Sequence, residues 1–168
     1  MREGIPFQNG LYFMGLEPLH LLTKQGTYDM RVFLGIYYQG YILIGFVWYR
    51  NIRVDSEADG YALHWDYFEK EQSYNSSIYL DGFGGLGDAT KNLNGAHFGT
   101  YDRDVSGCAR AQSRGWWYNK FGCTTLKFVH NGVMWPTNQT GTITLEFFNY
   151  FYLRIQSVAY YREDDLVL

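Results

Sequence analysis

Residues 101–123 read YDRDVSGCARAQSRGWWYNKFGC and hold most of the chemically distinctive side chains of the chain. The stretch opens with two aspartates, Asp102 and Asp104, and it contains both cysteines of the chain, Cys108 and Cys123. An even number of cysteines at short spacing suits a local disulfide in an oxidising compartment, and two reduced core cysteines are the alternative. No second Cys or His pair accompanies them, so the pattern is not that of a zinc site.

The composition around this stretch is that of one folded domain. The chain has 168 residues, of which 46% are hydrophobic and 18% are charged, so it can bury a core and is not disordered. The net charge of -3 disfavours sequence-independent nucleic-acid binding, which needs a cationic surface. Aromatic residues make up 20% of the chain. They suit a recognition surface, although a loop-rich core explains most of them.

The residue inventory argues against an enzyme. The chain has four histidines in scattered positions and neither a Gly-x-Ser-x-Gly nor a His-Glu-x-x-His motif. The glycines of residues 82–87 predict a turn, because no Lys-Ser/Thr pair or βαβ context accompanies them.

Periodicity predicts short helices and irregularly spaced strands. Pro18 suits the first turn of a helix over residues 17–26, and Gly26 suits its end. The apolar run 36–49 is too short to span a membrane and predicts a buried or partly buried strand. Further strands are predicted at 28–32, 61–65, 141–148 and 151–155, with loops at 55–60, 68–77 and 82–107. The pattern favours an α+β fold with a mostly antiparallel sheet.

Residues 101–123 resemble the fibrinogen C-terminal domain family in their aspartate loop, Cys-Ala pair, Gly-Trp-Trp run and second cysteine. Other segments resemble the family in the same order along the chain. They are residues 11–23, 28–32, 57–63, 87–98 and 131–135.

The resemblance predicts a partial domain over residues 1–168. It implies a central sheet subdomain at 1–100, a calcium and ligand-loop subdomain at 101–148, and a closing strand and tail at 149–168. The family's N-terminal subdomain lacks a counterpart here, which predicts an uncovered sheet edge. Residues 36–49 are more apolar than the family's counterpart. They are the segment expected to be left uncovered, and the chain is therefore expected to be poorly stable.

The resemblance also implies a calcium site. Its candidate carboxylates are Asp102 and Asp104, and its candidate carbonyls belong to Val105, Ser106 and Gly107. Calcium takes six to eight oxygen ligands, and the family's third aspartate is missing from this shortened loop. The alternative is that the carboxylates cap backbone amides in a turn.

A ligand pocket and a disulfide between Cys108 and Cys123 follow from the same resemblance. The predicted pocket contains Tyr118, Phe121, Cys123, Thr124, His130 and Trp135. The family shapes its pocket with a cis peptide before the second cysteine, which is Gly122–Cys123 here. The family's histidine after that cysteine is Thr124 here.

The implied function is that of a secreted recognition domain, binding acetylated or simple glycan groups as in innate-defence lectins. The alternative is protein recognition in a matrix, coagulation-like or receptor-ligand protein. Asn75 and Asn138 fit the glycosylation acceptor pattern, which suits a secreted protein. The prediction includes no membrane span and no nucleic-acid partner, and it allows a homo-oligomer in the full-length protein.

Overall fold

The computed structural model describes residues 5–6, 12–71, 78–104, 106–138 and 141–159. The described helices are α1 (Leu16–Gln25) and α2 (Cys108–Ala111), and short 3-10 turns lie at Glu57–Asp59, Gly85–Gly87 and Ala89–Lys91. The described strands are β1 (Ile5–Pro6), β2 (Tyr12–Phe13), β3 (Tyr28–Tyr38), β4 (Tyr41–Val54), β5 (Leu63–His64), β6 (Tyr67–Lys70), β7 (His97–Gly99), β8 (Trp116–Tyr118), β9 (Lys127–Val129), β10 (Gly132–Thr137), β11 (Thr144–Phe148) and β12 (Tyr150–Ser157). The mixture confirms the predicted α+β class.

A long antiparallel hairpin, β3 and β4, forms the centre of the largest sheet. The strand order is β12-β3-β4-β5, and β6 also pairs with β4. Gln39 and Gly40 make the hairpin turn with φ values of 48° and 89°. Two positive φ values in a two-residue turn match the twist of the strands. The prediction of one strand over residues 36–49 is therefore wrong, because the chain reverses direction within it.

The two faces of this sheet carry different side chains. Met30, Val32 and Leu34 of β3 are fully buried and belong to the main hydrophobic core. Alternate residues such as Arg31 and Phe33 lie on the opposite, outer face, as the period of a strand requires. The inner face packs against aromatic residues from the second half of the chain, so one core joins both halves.

Two smaller sheets carry the second half of the chain. Strand β7 pairs with β8, and β11, β10 and β9 form a three-stranded sheet. Strand β12 then returns to pair with β3 from Tyr150↔Gly35 to Ser157↔Tyr28. The division of the chain into three subdomains stays a prediction.

Most predicted elements are present with shifted ends. The helix over residues 17–26 is confirmed as α1, which buries Leu16, Leu19 and Thr23. The closing strands are confirmed as β11 and β12. The strand at 61–65 shortens to β5, and the loop prediction for 68–77 is wrong where β6 pairs with β4. Residues 72–77 lie outside the described part of the chain.

Position 45 of β4 has no room for a side chain, because the ring of Tyr79 occupies the space where a Cβ would stand. We expect Gly45→Ala to lower the free energy of unfolding by about 1–3 kcal/mol, because overfilling a packed core strains its neighbours. Urea unfolding measures the change. The neighbouring Ile44→Ala, on the exposed face, serves as the control and should cost less. Tyr79→Leu should lessen the cost of Gly45→Ala, and strictly additive effects would contradict the contact.

Candidate functional site

The loop of residues 101–123 is closed by a disulfide between Cys108 and Cys123. The S–S distance is 2.01 Å and the Cα atoms are 5.6 Å apart. The predicted disulfide is thereby confirmed, and both cysteines are paired. Helix α2 begins at Cys108, and β8 follows it and pairs with β7. The disulfide therefore ties the start of α2 to the segment that follows β8.

Asp104 caps the start of α2. Its carboxylate accepts hydrogen bonds from the backbone N–H of Arg110 at 2.8 Å and from the hydroxyl of Ser106 at 3.3 Å. Desolvation opposes the charged form, but the backbone N–H groups of Arg110 and Ala109 and the Ser106 hydroxyl outweigh it and lower the pKa of Asp104. This arrangement agrees with the capping alternative.

The other predicted calcium ligands are arranged less favourably for a cation. Asp102 accepts a hydrogen bond from the side chain of Thr100, which lowers the pKa of Asp102. The carbonyl of Gly107 accepts the N–H of Ala111 at 3.1 Å, and Val105 lies outside the described residues.

No group of three or more His, Cys, Asp or Glu side chains forms a metal cluster in the described part of the chain. The oxygens of the aspartate loop are engaged as in a helix cap, which fits them better than the oxygen shell that calcium takes. Calcium binding by Asp102 and Asp104 stays a prediction.

The structure does not bring the predicted pocket residues together in one cup. Tyr118 and Phe121 border one cleft, and His130 borders another. Trp135 has no exposed surface, and its indole N–H donates to the carbonyl of Leu80 at 3.0 Å. The assignment of Trp135 to the pocket is wrong, because this ring lies in the core.

The residues around the second cysteine also differ from the prediction. Thr124 is buried, and its hydroxyl accepts the N–H of Leu126 at 3.2 Å. All peptide bonds of the described residues are trans, including that between Gly122 and Cys123. The prediction of a cis bond at this position is therefore wrong. Cys123 has a φ of 64° and donates its N–H to the carbonyl of Asn119 at 2.9 Å.

A cleft of about 630 Å³ opens beside this loop, and we call it the Phe121 cleft. Its lining includes residues 96–99 and the ion pair between Arg103 and Glu57, whose charged groups are 3.1 Å apart. Phe121, with 75% of its surface exposed, also lines this cleft. The ammonium group of Lys120 lies 4.9 Å from the centre of that ring. The cleft thus offers an exposed ring among charges of both signs.

The side chain of Asn119 orders the backbone of the segment that carries Phe121. Its side-chain amide donates to the carbonyls of Ala89 and Asn92 at 3.2 and 2.8 Å. Its amide oxygen accepts the backbone N–H of Phe121 at 3.0 Å. The exposed ring is therefore held on an ordered backbone, which lowers the entropy cost of binding.

A second cleft, of about 680 Å³, lies between α2 and β9. It contains Arg114, Lys127 and His130, and the Arg114 guanidinium lies 5.2 Å from the ring centre of Phe128. We call it the His130 cleft. Its charged side chains are cationic, unlike the mixed rim of the Phe121 cleft.

Sequence reasoning did not select His97, Arg103 or Glu57 as site residues. All three lie in segments that carry the resemblance, but they are far apart in sequence, and Arg103 meets Glu57 across the fold. No local pattern signals such a contact.

The remaining predictions fall at the edge of the described residues. Asn75 lies outside them, as do Gln139 and Thr140. Asn138 is exposed and donates its N–H to the carbonyl of Ile78 at 2.8 Å. Glycosylation at both asparagines stays a prediction. In the described segments, no helix has the length and apolar character needed to cross a bilayer.

The Asp104 cap predicts a dependence of stability on pH. Because the folded-state pKa is lowered, the stabilisation is complete above the ordinary Asp pKa, near 3.8, and is lost as the pH falls through the folded value. Wild type should therefore be more stable than Asp104→Asn at pH 6, and the difference should shrink on acidification. Urea unfolding at several pH values measures it. Asp59→Asn, on an exposed turn, is the matched control, and a pH-independent difference for Asp104→Asn would contradict the cap.

Known proteins share both the sequence and the fold of this chain. Fibrinogen-like protein 1 of Bos taurus is 27% identical over 166 residues, which cover 95% of this chain and 51% of that protein. The fibrinogen-like globe domain of human ANGPTL2 superposes with a TM-score of 0.64 at 25% identity, over 93% of this chain and 70% of that chain. A lamprey fibrin D-dimer in complex with the peptide Gly-His-Arg-Pro-amide superposes with a TM-score of 0.57 at 25% identity, over 78% of this chain and 43% of that chain.

The chain spans about half the length of the bovine relative. Residues 3–149 match the family model described as the C-terminal globular domain of the fibrinogen beta and gamma chains. Because this match covers most of the chain, the protein belongs to the fibrinogen C-terminal domain family.

Proposed function

We propose that this chain is an extracellular, non-enzymatic recognition domain that binds a protein partner at the Phe121 cleft. The observation that carries the proposal is the exposed Phe121 ring, whose backbone Asn119 holds and which lines the cleft together with the charged side chains of Arg103 and Lys120. Aromatic anchors surrounded by a polar rim are typical of protein-recognition surfaces. The relatives are secreted, non-enzymatic proteins, which supports the extracellular and non-catalytic parts of the proposal.

The shape and surroundings of the cleft favour a protein chain as the ligand. Tyr101, 73% exposed, lies next in sequence to Asp102, which lines the cleft. A partner can therefore contact the cleft and the surface around it together. The peptide ligand of the lamprey fibrin structure supports a short peptide segment as the bound element.

A display screen tests this proposal. The chain is screened against a library of extracellular domains and random peptides, and affinities of the selected ligands are measured by surface plasmon resonance. Removing an aromatic anchor typically costs about 2 kcal/mol or more, so Phe121→Ser should weaken binding by roughly 30-fold or more.

The matched control is Tyr67→Ser, because Tyr67 is also an exposed ring, 58% accessible, but lies on β6 away from the cleft. Equal affinities for wild type and Phe121→Ser, or an equal loss in Tyr67→Ser, would contradict binding at the cleft.

Recognition of an acetylated or simple glycan group is the second candidate function. It is favoured by the mixed lining of the cleft, where the Phe121 ring offers an apolar platform and Asp102 and Asn94 add polar groups. Such a platform suits the methyl of an acetyl group.

Calorimetric titration with N-acetylglucosamine, with and without calcium, tests the glycan candidate and the calcium prediction together. Glycan recognition predicts a binding heat that Phe121→Ser abolishes. Calcium bound by Asp104 predicts a separate heat in the ~10⁻⁴–10⁻³ M range, lost in Asp104→Ala. If the two are coupled, each should tighten the other. No sugar heat would remove the glycan candidate, and no calcium heat in wild type would remove the metal.

A further inference from the structure

Strand β12 forms one edge of the central sheet. On one side it pairs with β3 over its whole length, and no described strand pairs with its other side. Protein edge strands normally carry a proline, a bulge or several charges that prevent further pairing. Strand β12 has no proline, its register with β3 contains no bulge, and Arg154 is its one charged residue.

The side chains of β12 alternate between two faces. Tyr150, Tyr152 and Arg154 lie on the outer face, where the Tyr152 ring stacks on Phe33 with centroids 4.2 Å apart. Phe151, Leu153 and Ile155 lie on the inner face and pack against the core. Both tyrosines and Arg154 are exposed, and Tyr152 is held rigid by its stack.

We propose that the open edge of β12 binds the β12 edge of a second copy of this chain, in an antiparallel pair about a two-fold axis. Strand addition of this kind supplies a row of main-chain hydrogen bonds. A homodimer interface of this type is self-complementary, so one strand must pair with itself.

Geometry and charge select one register. Opposed residues in an antiparallel pair share a face, so only registers that match outer with outer residues keep both cores on one side of the joined sheet. The register centred on Leu153 pairs Leu153 with itself, Phe151 with Ile155, Tyr152 with Arg154 and Tyr150 with Gln156. The register centred on Arg154 instead opposes two like charges and is disfavoured.

The Leu153 register also complements the groups that the edge leaves open. The guanidinium of each Arg154 meets the Tyr152 ring of the other copy, a cation–π pair that occurs twice. Along β12, seven residues on each strand pair in this register, against five in the one centred on Tyr152.

Analytical ultracentrifugation of the 168-residue chain tests the proposal. Wild type should sediment as a dimer of twice 19.6 kDa, with dissociation on dilution. Tyr152→Arg opposes two arginine pairs and should raise the dimer dissociation constant at least about tenfold. The double variant Tyr152→Arg with Arg154→Glu replaces both with opposite-charge pairs and should restore the dimer.

Tyr152→Phe is the matched control, because it keeps the stack on Phe33 and the ring that faces Arg154, and it should dimerise as wild type does. Thermal melts of every variant verify that the fold persists. Several results would overturn the proposal: a wild-type monomer at 100 μM, a dimer that Tyr152→Arg leaves intact, or a loss that Arg154→Glu does not reverse. A wild-type monomer that captures extended peptides would show that the edge accepts a different occupant.

Discussion

The contact between Tyr49 and Phe83 is the one on which the rest of the structure depends. The two rings stack with centroids 4.3 Å apart, and neither has exposed surface. The Tyr49 hydroxyl donates to Asp81 at 2.8 Å, and Asp81 also accepts the N–H of Gly84 at 2.8 Å. Burial raises the pKa of Asp81, and the hydrogen bonds from Tyr49, Gly84 and Phe83 oppose that rise. One tyrosine thus joins the central sheet to the glycine-rich loop.

From this contact a continuous series of rings reaches the candidate site. Phe83 packs edge-on against Trp116 at 5.7 Å, and Trp116 packs against Trp117 at 5.4 Å. The Trp117 indole N–H then donates to the carbonyl of Tyr61 at 2.9 Å, and Tyr61 lines the Phe121 cleft. Packed interiors transmit strain, so the cleft geometry depends on core residues that no ligand touches.

The sequence predicts the local features of this fold and misses the distant ones. Helix α1 follows from a local sequence pattern and the disulfide from the family resemblance, and both are present. The Gln39-Gly40 reversal is a local feature too, because a glycine-containing pair between apolar runs is a hairpin signal. Trp135 shares a strand face with the fully buried Val133, so alternation along β10 could have assigned it to the core. No local sequence pattern predicts the ion pair between Arg103 and Glu57, because the two residues meet only across the fold.

The aromatic excess serves two opposite faces of one sheet. Antiparallel sheets commonly leave one face to water, and such a face is expected to be polar. Here the outer face holds Phe33, Phe46 and Trp48, and the Arg31 guanidinium lies 3.9 to 5.0 Å from their ring centres. A cation over aromatic rings keeps a charge at the surface while the rings exclude water from each other. Within residues 36–49, Phe46 and Trp48 serve this outer face, while Val47 and Tyr49 belong to the core.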